Sequence, residues 1–205
     1  MSVIDAIHGS HVHRRRVSAL ARQLAEALPQ GARVLDIGCG DGLLASLVQQ
    51  LRQDVTIQGI DVLVRPTTHI EVASFDGLHI PSASDQFDAA ILVDVVHHIE
   101  DPMPLLREAI RVSRQCLVIK DHTKNGWLAA PTLRVMDYVG NARHGVALPN
   151  NYWSKTRWET VIAELGLTVS LWRDRLQMYP VPADWIFGRG LHFLARLDIN
   201  SQLLR

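Results

Sequence analysis

The first residues of this chain that could do chemistry are acidic. Asp36 and Asp61 each stand near the end of a short apolar segment, and Asp76 directly precedes a glycine. A carboxylate accepts hydrogen bonds from hydroxyl or amino groups and stabilises a neighbouring positive charge. If the segments are strands of one sheet, these carboxylates predict a site for a ligand that carries hydroxyls and positive charge.

Histidines form the second chemically capable group. His97 and His122 follow two later apolar segments, and His144 lies in a polar stretch. Imidazole takes a proton near neutral pH, which suits a reaction in which a hydroxyl group loses its proton. All three are therefore candidate general bases. His122 is favoured because it lies directly beyond a central strand, whereas the alternative for His97 is a buried hydrogen-bonding role.

The elements that position these residues alternate between strand and helix. Short apolar segments predict strands at residues 33–37, 55–60, 70–73, 87–93 and 116–120, and helical spacing predicts helices at 14–28, 43–52 and 103–112. This alternation is typical of an α/β domain with a parallel sheet. Ligands of such sheets bind beyond the carboxyl ends of the strands, where the acids and histidines fall.

The pattern changes after residue 126. Helices are predicted at residues 127–139 and 156–165, a loop at 140–152, and strands at 168–176 and 191–199. The two strands have no helix between them, so they should be antiparallel. Thr156 and Glu159 predict a capping box, and Gly166 predicts the end of that helix. We expect one domain over residues 1–205, with residues 1–30 as a helical lid and 127–165 as a cap over the substrate.

A glycine-rich turn follows the first strand in the sequence VLDIGCGDG, residues 34–42. Glycine is required where a Cβ would block a tight turn or keep the backbone from a ligand. Nicotinamide dinucleotides use the same topology, but their pyrophosphate would be repelled by Asp36 and Asp41 on either side of the glycines. The ammonium and sulfonium of S-adenosyl-L-methionine (SAM) are cations that these carboxylates stabilise, so the sequence favours SAM.

Several segments together resemble the class I SAM-dependent methyltransferases: VLDIGCGDG, GID, FDG, FDAAILVDVVHHIEDP, LLREAIRVSR and CLVIKDH, over roughly residues 14–200. The resemblance implies a Rossmann-like α/β fold, with a seven-stranded, mostly parallel sheet, helices on both faces and a carboxyl-terminal antiparallel strand. It implies that the cofactor is held by Asp36, Gly38, Cys39 and Gly40 at the methionyl part, Asp61 at the ribose, Val62, Asp76 and Gly77 at the adenine, and Val93 and Asp94 near the sulfonium.

One segment departs from the family pattern. Members usually have a helix between the second and third strands, but this chain has few residues there, and they include Pro66. Proline disfavours helix in the residue before it and breaks helix interiors. We therefore expect a loop or a single turn, with the adenine pocket shaped differently near Val62.

The cap supplies aromatic residues that predict substrate specificity. Tyr138, Tyr152 and Trp153 could stack on a planar acceptor or face the sulfonium through a cation–π contact. Alternatively, Trp153 and Trp158 anchor the following helix in the core. An Asn-Asn-Tyr sequence in this region is not the amino-methylating motif of DNA enzymes, which would follow the fourth strand.

Composition narrows the function further. The 205 residues carry 21 basic and 21 acidic side chains, which gives no attraction for nucleic acid, and no apolar run approaches the length of a membrane span. Neither a signal peptide nor zinc-ligand spacing of the two cysteines is evident, so a cytoplasmic enzyme without a metal site is expected. The resemblance implies methyl transfer but no particular substrate, and we hypothesise a small-molecule acceptor. The alternatives are an enzyme that uses SAM for another reaction, a protein or RNA methyltransferase, or a non-catalytic scaffold.

Overall fold

The computed structural model describes residues 3–126, 128–141, 151–179, 184–185, 188 and 190–200. The helices are α1 Val3–Ala27, α2 Leu43–Leu51, α3 Met103–Val112, α4 Ala129–Asn141 and α5 Lys155–Glu164, and Val96–His98 forms one 3-10 turn. The strands are β1 Arg33–Ile37, β2 Thr56–Asp61, β3 Val72–Ser74, β4 Phe87–Val93, β5 Ser113–His122, β6 Leu167–Arg173 and β7 His192–Ile199.

The seven strands form one sheet in the order β3-β2-β1-β4-β5-β7-β6. Strands β1 to β5 all run parallel to one another. Strand β7 runs antiparallel to both β5 and β6. The α/β fold with an antiparallel carboxyl-terminal strand is therefore confirmed. Because β7 is inserted antiparallel, its first residue lies at the same edge of the sheet as the carboxyl ends of β4 and β5.

The core divides over the two faces of the sheet because side chains alternate along each strand. Leu35 and Ile37 of β1 pack in one cluster with residues of α3 and α5, including the buried Trp158. Val34, directly before Leu35, packs in the other cluster with residues of α1 and α2. With both faces covered by helices, the central strands are buried throughout, which explains their continuous apolar sequences.

Three local expectations can be compared with the structure. Residues 62–71 form no helix, as the proline predicted. Helix α1 begins at Val3 and not at residue 14, so it extends over most of the segment that was expected to be a helical lid. The capping box at Thr156 and Glu159 is wrong: α5 begins earlier, and Ser154 is the N-cap, with its hydroxyl accepting from the Arg157 amide at 3.2 Å.

The predicted end of α5 is confirmed. Gly166 follows the C-cap Leu165 with φ of 68°, a left-handed conformation that glycine adopts without a steric cost. Among the described residues, none of the helices is both long enough and apolar enough to cross a membrane.

Candidate active site

The glycine turn after β1 contains Gly38 and Gly40, which differ in the space around them. Gly38 has φ of 73°, and a Cβ on it would lie 2.6 Å from Cγ2 of Val95, so a larger residue is excluded. Gly40 has φ of 61°, but a Cβ there would meet no atom within 4 Å. The first glycine is thus required by packing and the second borders open space, which is what a turn that admits a ligand needs.

Asp61 at the end of β2 braces this turn. Its Oδ2 accepts a hydrogen bond from the Gly40 amide at 2.8 Å, and its Oδ1 accepts from the Leu63 amide at 2.8 Å. An ionised carboxylate has about four acceptor positions, so both oxygens can accept further bonds. A direct hydrogen bond therefore joins Asp61, predicted to hold the ribose, to Gly40, predicted to border the methionyl part.

Asp36 is buried beside this turn without a compensating cation. Burial, and then the nearby charge of Asp61, raise the pKa of Asp36 to about 7. Burial and the same two carboxylates also raise the pKa of the Cys39 thiol, so Cys39 stays protonated and unreactive. No described side chain forms an ion pair with Asp36. A positively charged ligand next to the open position at Gly40 would relieve this repulsion.

The predicted adenine residues lie near one another but are largely exposed. Val62 is 61% exposed, and its Cγ1 lies 3.1 Å from a Cβ built on Gly77. Asp76 Oδ1 accepts from the Leu78 and His79 amides, and its Oδ2 lies 2.8 Å from Nδ1 of His79. The bond from His79 and the two amides lower the pKa of Asp76 to about 2. This carboxylate is engaged in its own turn.

At the end of β4, Asp94 is surrounded by positive charge. The Lys120 ammonium donates a hydrogen bond to Oδ1 of Asp94, and the Arg16 guanidinium donates one to Oδ2 at 3.1 Å. Burial opposes ionisation, but Lys120, His122 and Arg16 together hold the pKa of Asp94 well below its usual range. Arg16 belongs to α1, so the expected lid helix is joined to the sheet edge at this point. Val93, just before Asp94, is half-buried against the α1 face of the core.

Next to Asp94, His97 is held by a buried carboxylate. Its Nδ1 lies 2.6 Å from Oδ1 of Asp121, and both side chains are almost fully buried. Asp121 also accepts from the amides of Val96 and His122, at 3.0 and 2.6 Å. An ionised carboxylate with these donors fixes His97 as the Nδ1–H tautomer when the ring is neutral, which leaves the lone pair on Nε2.

His122 ends β5 in a different environment. Its Nε2 lies 3.6 Å from Oδ1 of Asp94, and its ring centroid is 4.6 Å from that of His97. Burial, and then the charge of Lys120, hold the pKa of His122 well below its usual value. Burial also lowers the pKa of Lys120, against the pull of Asp94. His122 is thus a neutral imidazole and a weak base.

The end of the cap reaches the same place. Tyr152 is buried, with its ring 5.7 Å from His97 and 5.9 Å from His122. Asn151 ties this segment to the turn after β4, because its Nδ2 donates to the Ile99 carbonyl at 2.9 Å and its backbone amide donates to the His97 carbonyl at 3.2 Å. Tyr152 and Asn151 therefore place this segment beside the two histidines.

Trp153 and Trp158 lie where the alternative interpretation expected them, as anchors of the following helix. Trp158 is buried, and its Nε1 donates to the His122 carbonyl at 3.2 Å. Trp153 packs on it with ring centroids 4.7 Å apart. Both anchor α5 to the sheet. His144 lies outside the described residues, as does the side chain of Tyr138.

A family model described as a methyltransferase domain matches residues 9–171 of the chain. The chain belongs to this methyltransferase family. Its class is that of SAM-dependent methyltransferases, and SAM is its cofactor. The site fits this cofactor, since the open position at Gly40 and the uncompensated Asp36 are both features that a cationic ligand would complete.

Individual relatives cover only part of the methyltransferase. A ubiquinone biosynthesis O-methyltransferase from Cereibacter sphaeroides is 37% identical over 98 residues, which are 42% of this chain and 38% of that protein. An uncharacterized methyltransferase from Mycobacterium tuberculosis is 33% identical over 143 residues, 64% of this chain and 61% of that protein. The matches span less than two thirds of either relative.

Solved structures agree on the fold. A possible histamine N-methyltransferase from Thermotoga maritima superposes with a TM-score of 0.66 at 18% identity, covering 97% of this chain and 96% of that one. At this identity the likeness concerns the fold of the methyltransferase and not its acceptor.

One group of side chains in the methyltransferase has the spacing of metal ligands. Donor atoms of Asp94, His97 and His122 all lie within 4.8 Å of one another. However, both oxygens of Asp94 already face cations, from Lys120 and Arg16. A divalent ion would meet these positive charges at close range. The cluster is better suited to hydrogen bonding and proton transfer.

Three residues next to this cluster were not predicted from the sequence. Lys120 and His192 both lie inside apolar strands and are buried, at 0% and 1% exposure. A lysine in such a position is almost never buried without a partner, so the isolated polar residue within the apolar strand was the available signal. Arg16 gave no signal of its own, because its partner is 78 positions away.

Proposed function

We propose that this methyltransferase transfers the methyl group of SAM to a hydroxyl oxygen of a small organic acceptor. The observation that carries the proposal is the buried pair of His97 and Asp121, with 2.6 Å between Nδ1 and Oδ1. A buried imidazole oriented by a carboxylate is an arrangement that accepts a proton from a hydroxyl group. The name of the O-methyltransferase relative supports the same acceptor chemistry.

The cofactor half of the site is assigned to the first two strands. Asp61 accepts from the ribose hydroxyls while it holds the Gly40 amide. Asp36, Gly38 and Cys39 surround the methionyl end, where a positive charge stabilises the ionised form of Asp36. SAM, when bound, supplies an electrophilic methyl group on a sulfonium.

The remaining cofactor contacts follow the chain toward the acceptor. Val62 and Gly77 border the adenine, with Asp76 near its amino group. Val93 and Asp94 line the site toward the sulfonium. Because Asp94 is already paired with Lys120 and Arg16, its role is to shape this wall and not to supply a free negative charge.

The acceptor half is assigned to the ends of β4 and β5. His97 takes the hydroxyl proton on Nε2, and Asp121 stabilises the imidazolium that forms. We assign the base to His97 and not to His122, since burial and Lys120 make His122 a weak base. Tyr152 closes the site against water and aligns the acceptor with the methyl group, an effect that can lower the barrier by roughly 7 to 11 kcal/mol.

Calorimetry with SAM and its demethylated product, S-adenosylhomocysteine, tests the cofactor assignment first. We expect both to bind one site per chain, and no binding of either at about millimolar concentration would remove the proposal. The acceptor class is tested by incubating the protein with radiolabelled SAM and a cell extract separated into small-molecule, protein and RNA fractions. Label in the small-molecule fraction is expected, whereas label confined to protein or RNA would contradict it.

The base is tested by His97→Gln and Asp121→Asn. Each should lower kcat about 10²- to 10⁴-fold at neutral pH while binding of S-adenosylhomocysteine stays unchanged. Raising the pH should partly restore Asp121→Asn if the acceptor hydroxyl then ionises by itself. The exposed His69 offers a matched control, because His69→Gln should retain full activity.

A further inference from the structure

His192 is a buried histidine that the proposed mechanism does not use. It is the first residue of β7 and lies opposite His122 in the antiparallel register with β5. The ring centroids of the two histidines are 4.7 Å apart, and that of Tyr179 lies 5.9 Å from His192. His192 therefore stands beside His122, which in turn contacts the candidate base His97.

The hydrogen-bonding potential of His192 is unmet among the described residues. The residue is 1% exposed, and neither Nδ1 nor Nε2 has a hydrogen-bond partner there. Most buried side-chain polar atoms in native proteins have at least one such partner. A leucine or phenylalanine would fill the same place without this cost, so an imidazole with no partner in the described part of the chain, at a ligand-binding edge, indicates a group that is bound during function.

The charges around His192 limit the chemistry of that group. Asp94 is paired with Lys120 and Arg16, and Asp121 is bonded to His97. Burial, and then the charge of Lys120, hold the pKa of His192 well below its usual value, so the ring is neutral. A neutral imidazole presents one donor and one acceptor, and a hydroxyl group presents the same pair in return.

Charged groups fit this position poorly. An ammonium group would approach Lys120, and a carboxylate would bring an added charge into a buried, balanced cluster. We propose that His192 hydrogen-bonds an uncharged hydroxyl group of the methyl acceptor and so selects hydroxylated, uncharged acceptors. The proposal rests on the acceptor chemistry proposed above and adds to it a contact from β7.

The first test needs no acceptor. His192→Leu removes a polar group for which the described residues offer no hydrogen-bond partner and replaces it with an apolar side chain of similar size, so the free protein should unfold at a higher temperature than wild type. The exposed His69→Gln should leave the midpoint unchanged. A lower midpoint for His192→Leu would mean that the imidazole stabilises the fold, and this would overturn the proposal.

The second test uses catechol as a hydroxylated probe and benzoate as its charged counterpart. Both are titrated into the complex with S-adenosylhomocysteine. Catechol should bind wild type, bind His192→Leu at least about fivefold more weakly, and bind His192→Gln within about threefold, since glutamine keeps a donor and an acceptor. Benzoate should bind more weakly than catechol.

The outcomes separate this inference from the proposed function. S-adenosylhomocysteine should bind wild type and His192→Leu with affinities within about twofold, because His192 lies away from β1 and β2. If S-adenosylhomocysteine does not bind wild type, the proposed function fails. If it binds, but catechol does not distinguish wild type from His192→Leu or binds no better than benzoate, the role of His192 is wrong.

Discussion

Two carboxylates, Asp36 and Asp94, lie at the same edge of the sheet in opposite electrostatic states. In the cofactor half, Asp36 is buried next to Asp61 and its pKa is raised to about 7 by burial and by that neighbour. In the acceptor half, Lys120 and Arg16 contact Asp94, and its pKa is held well below the usual range despite burial. We propose that a cationic ligand completes the environment of Asp36, whereas Lys120 and Arg16 of the protein itself complete that of Asp94.

The difference follows from what each pair of strands brings to the edge. Strand β1 ends in a glycine turn with backbone amides and open space, β2 ends in Asp61, and no described cationic side chain forms an ion pair with Asp36. Strands β4 and β5 bring a buried lysine, and α1 adds Arg16. A ligand therefore changes the charge balance of the cofactor half far more than that of the acceptor half.

The largest effect is expected from Asp94→Ala. Removing this carboxylate leaves the fully buried Lys120 ammonium without its ion-pair partner, which should lower the free energy of unfolding by about 3–5 kcal/mol. Urea unfolding followed by circular dichroism measures the loss. The exposed Arg114, paired with Asp88, provides the control, since Arg114→Ala should cost at most about 1 kcal/mol.

The double variant Asp94→Ala with Lys120→Met sharpens this test. Removing both charges should recover much of the stability that the single variant loses, because no buried charge then lacks a partner. A single variant as stable as wild type would show that Asp94 and Lys120 do not form the internally completed pair described here.

Asp36→Asn should have the opposite sign and depend on pH. The raised pKa means that the folded chain keeps the Asp36 proton up to about pH 7, whereas the unfolded chain releases it near the ordinary aspartate pKa of 3.8. The folded state thus binds more protons between these pH values, so the stability of the free protein falls as pH rises through this window, by up to about 4 kcal/mol. Asp36→Asn should abolish that part of the fall.

Chemical unfolding at pH 5 and pH 8 gives the two stabilities to compare. Wild type should be less stable at pH 8 from this contribution, and Asp36→Asn should gain stability over wild type only at the higher pH. Asp41→Asn, at an exposed position of the same turn, should leave the difference unchanged. An equal pH dependence in wild type and Asp36→Asn would remove the contrast between the two halves.

Asp61→Ala tests the cofactor half through binding. The substitution removes the acceptor for the Gly40 amide and for the ribose hydroxyls, so affinity for S-adenosylhomocysteine should fall about 10- to 100-fold by calorimetry. Asp54→Ala, which changes a carboxylate bonded to Arg52 and the Gly31 amide, should bind as wild type. Unchanged affinity in Asp61→Ala would show that the ribose is held elsewhere.

Elements that depend on local sequence signals were predicted, whereas features that depend on contacts between distant residues were not. The strand Phe87–Val93 and the glycine turn were predicted because apolar runs and glycine spacing are local signals. The start of α1 at Val3 was not predicted, although Val3, Ile4 and Ile7 have helical spacing. The cap at Ser154 was missed because two neighbouring positions both carry capping residues, and the tertiary position of Trp158 fixes where α5 begins.

The two halves of the site differ in the same way. Asp36 and Gly40 lie in one turn and Asp61 follows the next strand, so spacing alone grouped them. The acceptor half joins Arg16 of α1, Lys120 of β5 and His192 of β7, which only the folded sheet brings together. The sequence favoured His122 over His97 as the base because His122 directly follows a central strand. Our assignment of His97 rests on the charge of Lys120 near His122 and on the bond between His97 and Asp121, which are properties of the packed structure.

The smallest effect is expected from Asp76→Ala, and it divides the cofactor half into a buried and an exposed part. The Asp76 carboxylate is more than half exposed and already accepts from the Leu78 and His79 amides and from the His79 ring. Because water competes for an exposed acceptor, affinity for S-adenosylhomocysteine should fall less than about threefold in calorimetry. The same loss should appear at pH 6 and pH 8, since the pKa of Asp76 is lowered to about 2 by the bonds from His79. A loss as large as that of Asp61→Ala would instead place a strong adenine contact at Asp76 and extend the ligand-completed region beyond β1 and β2.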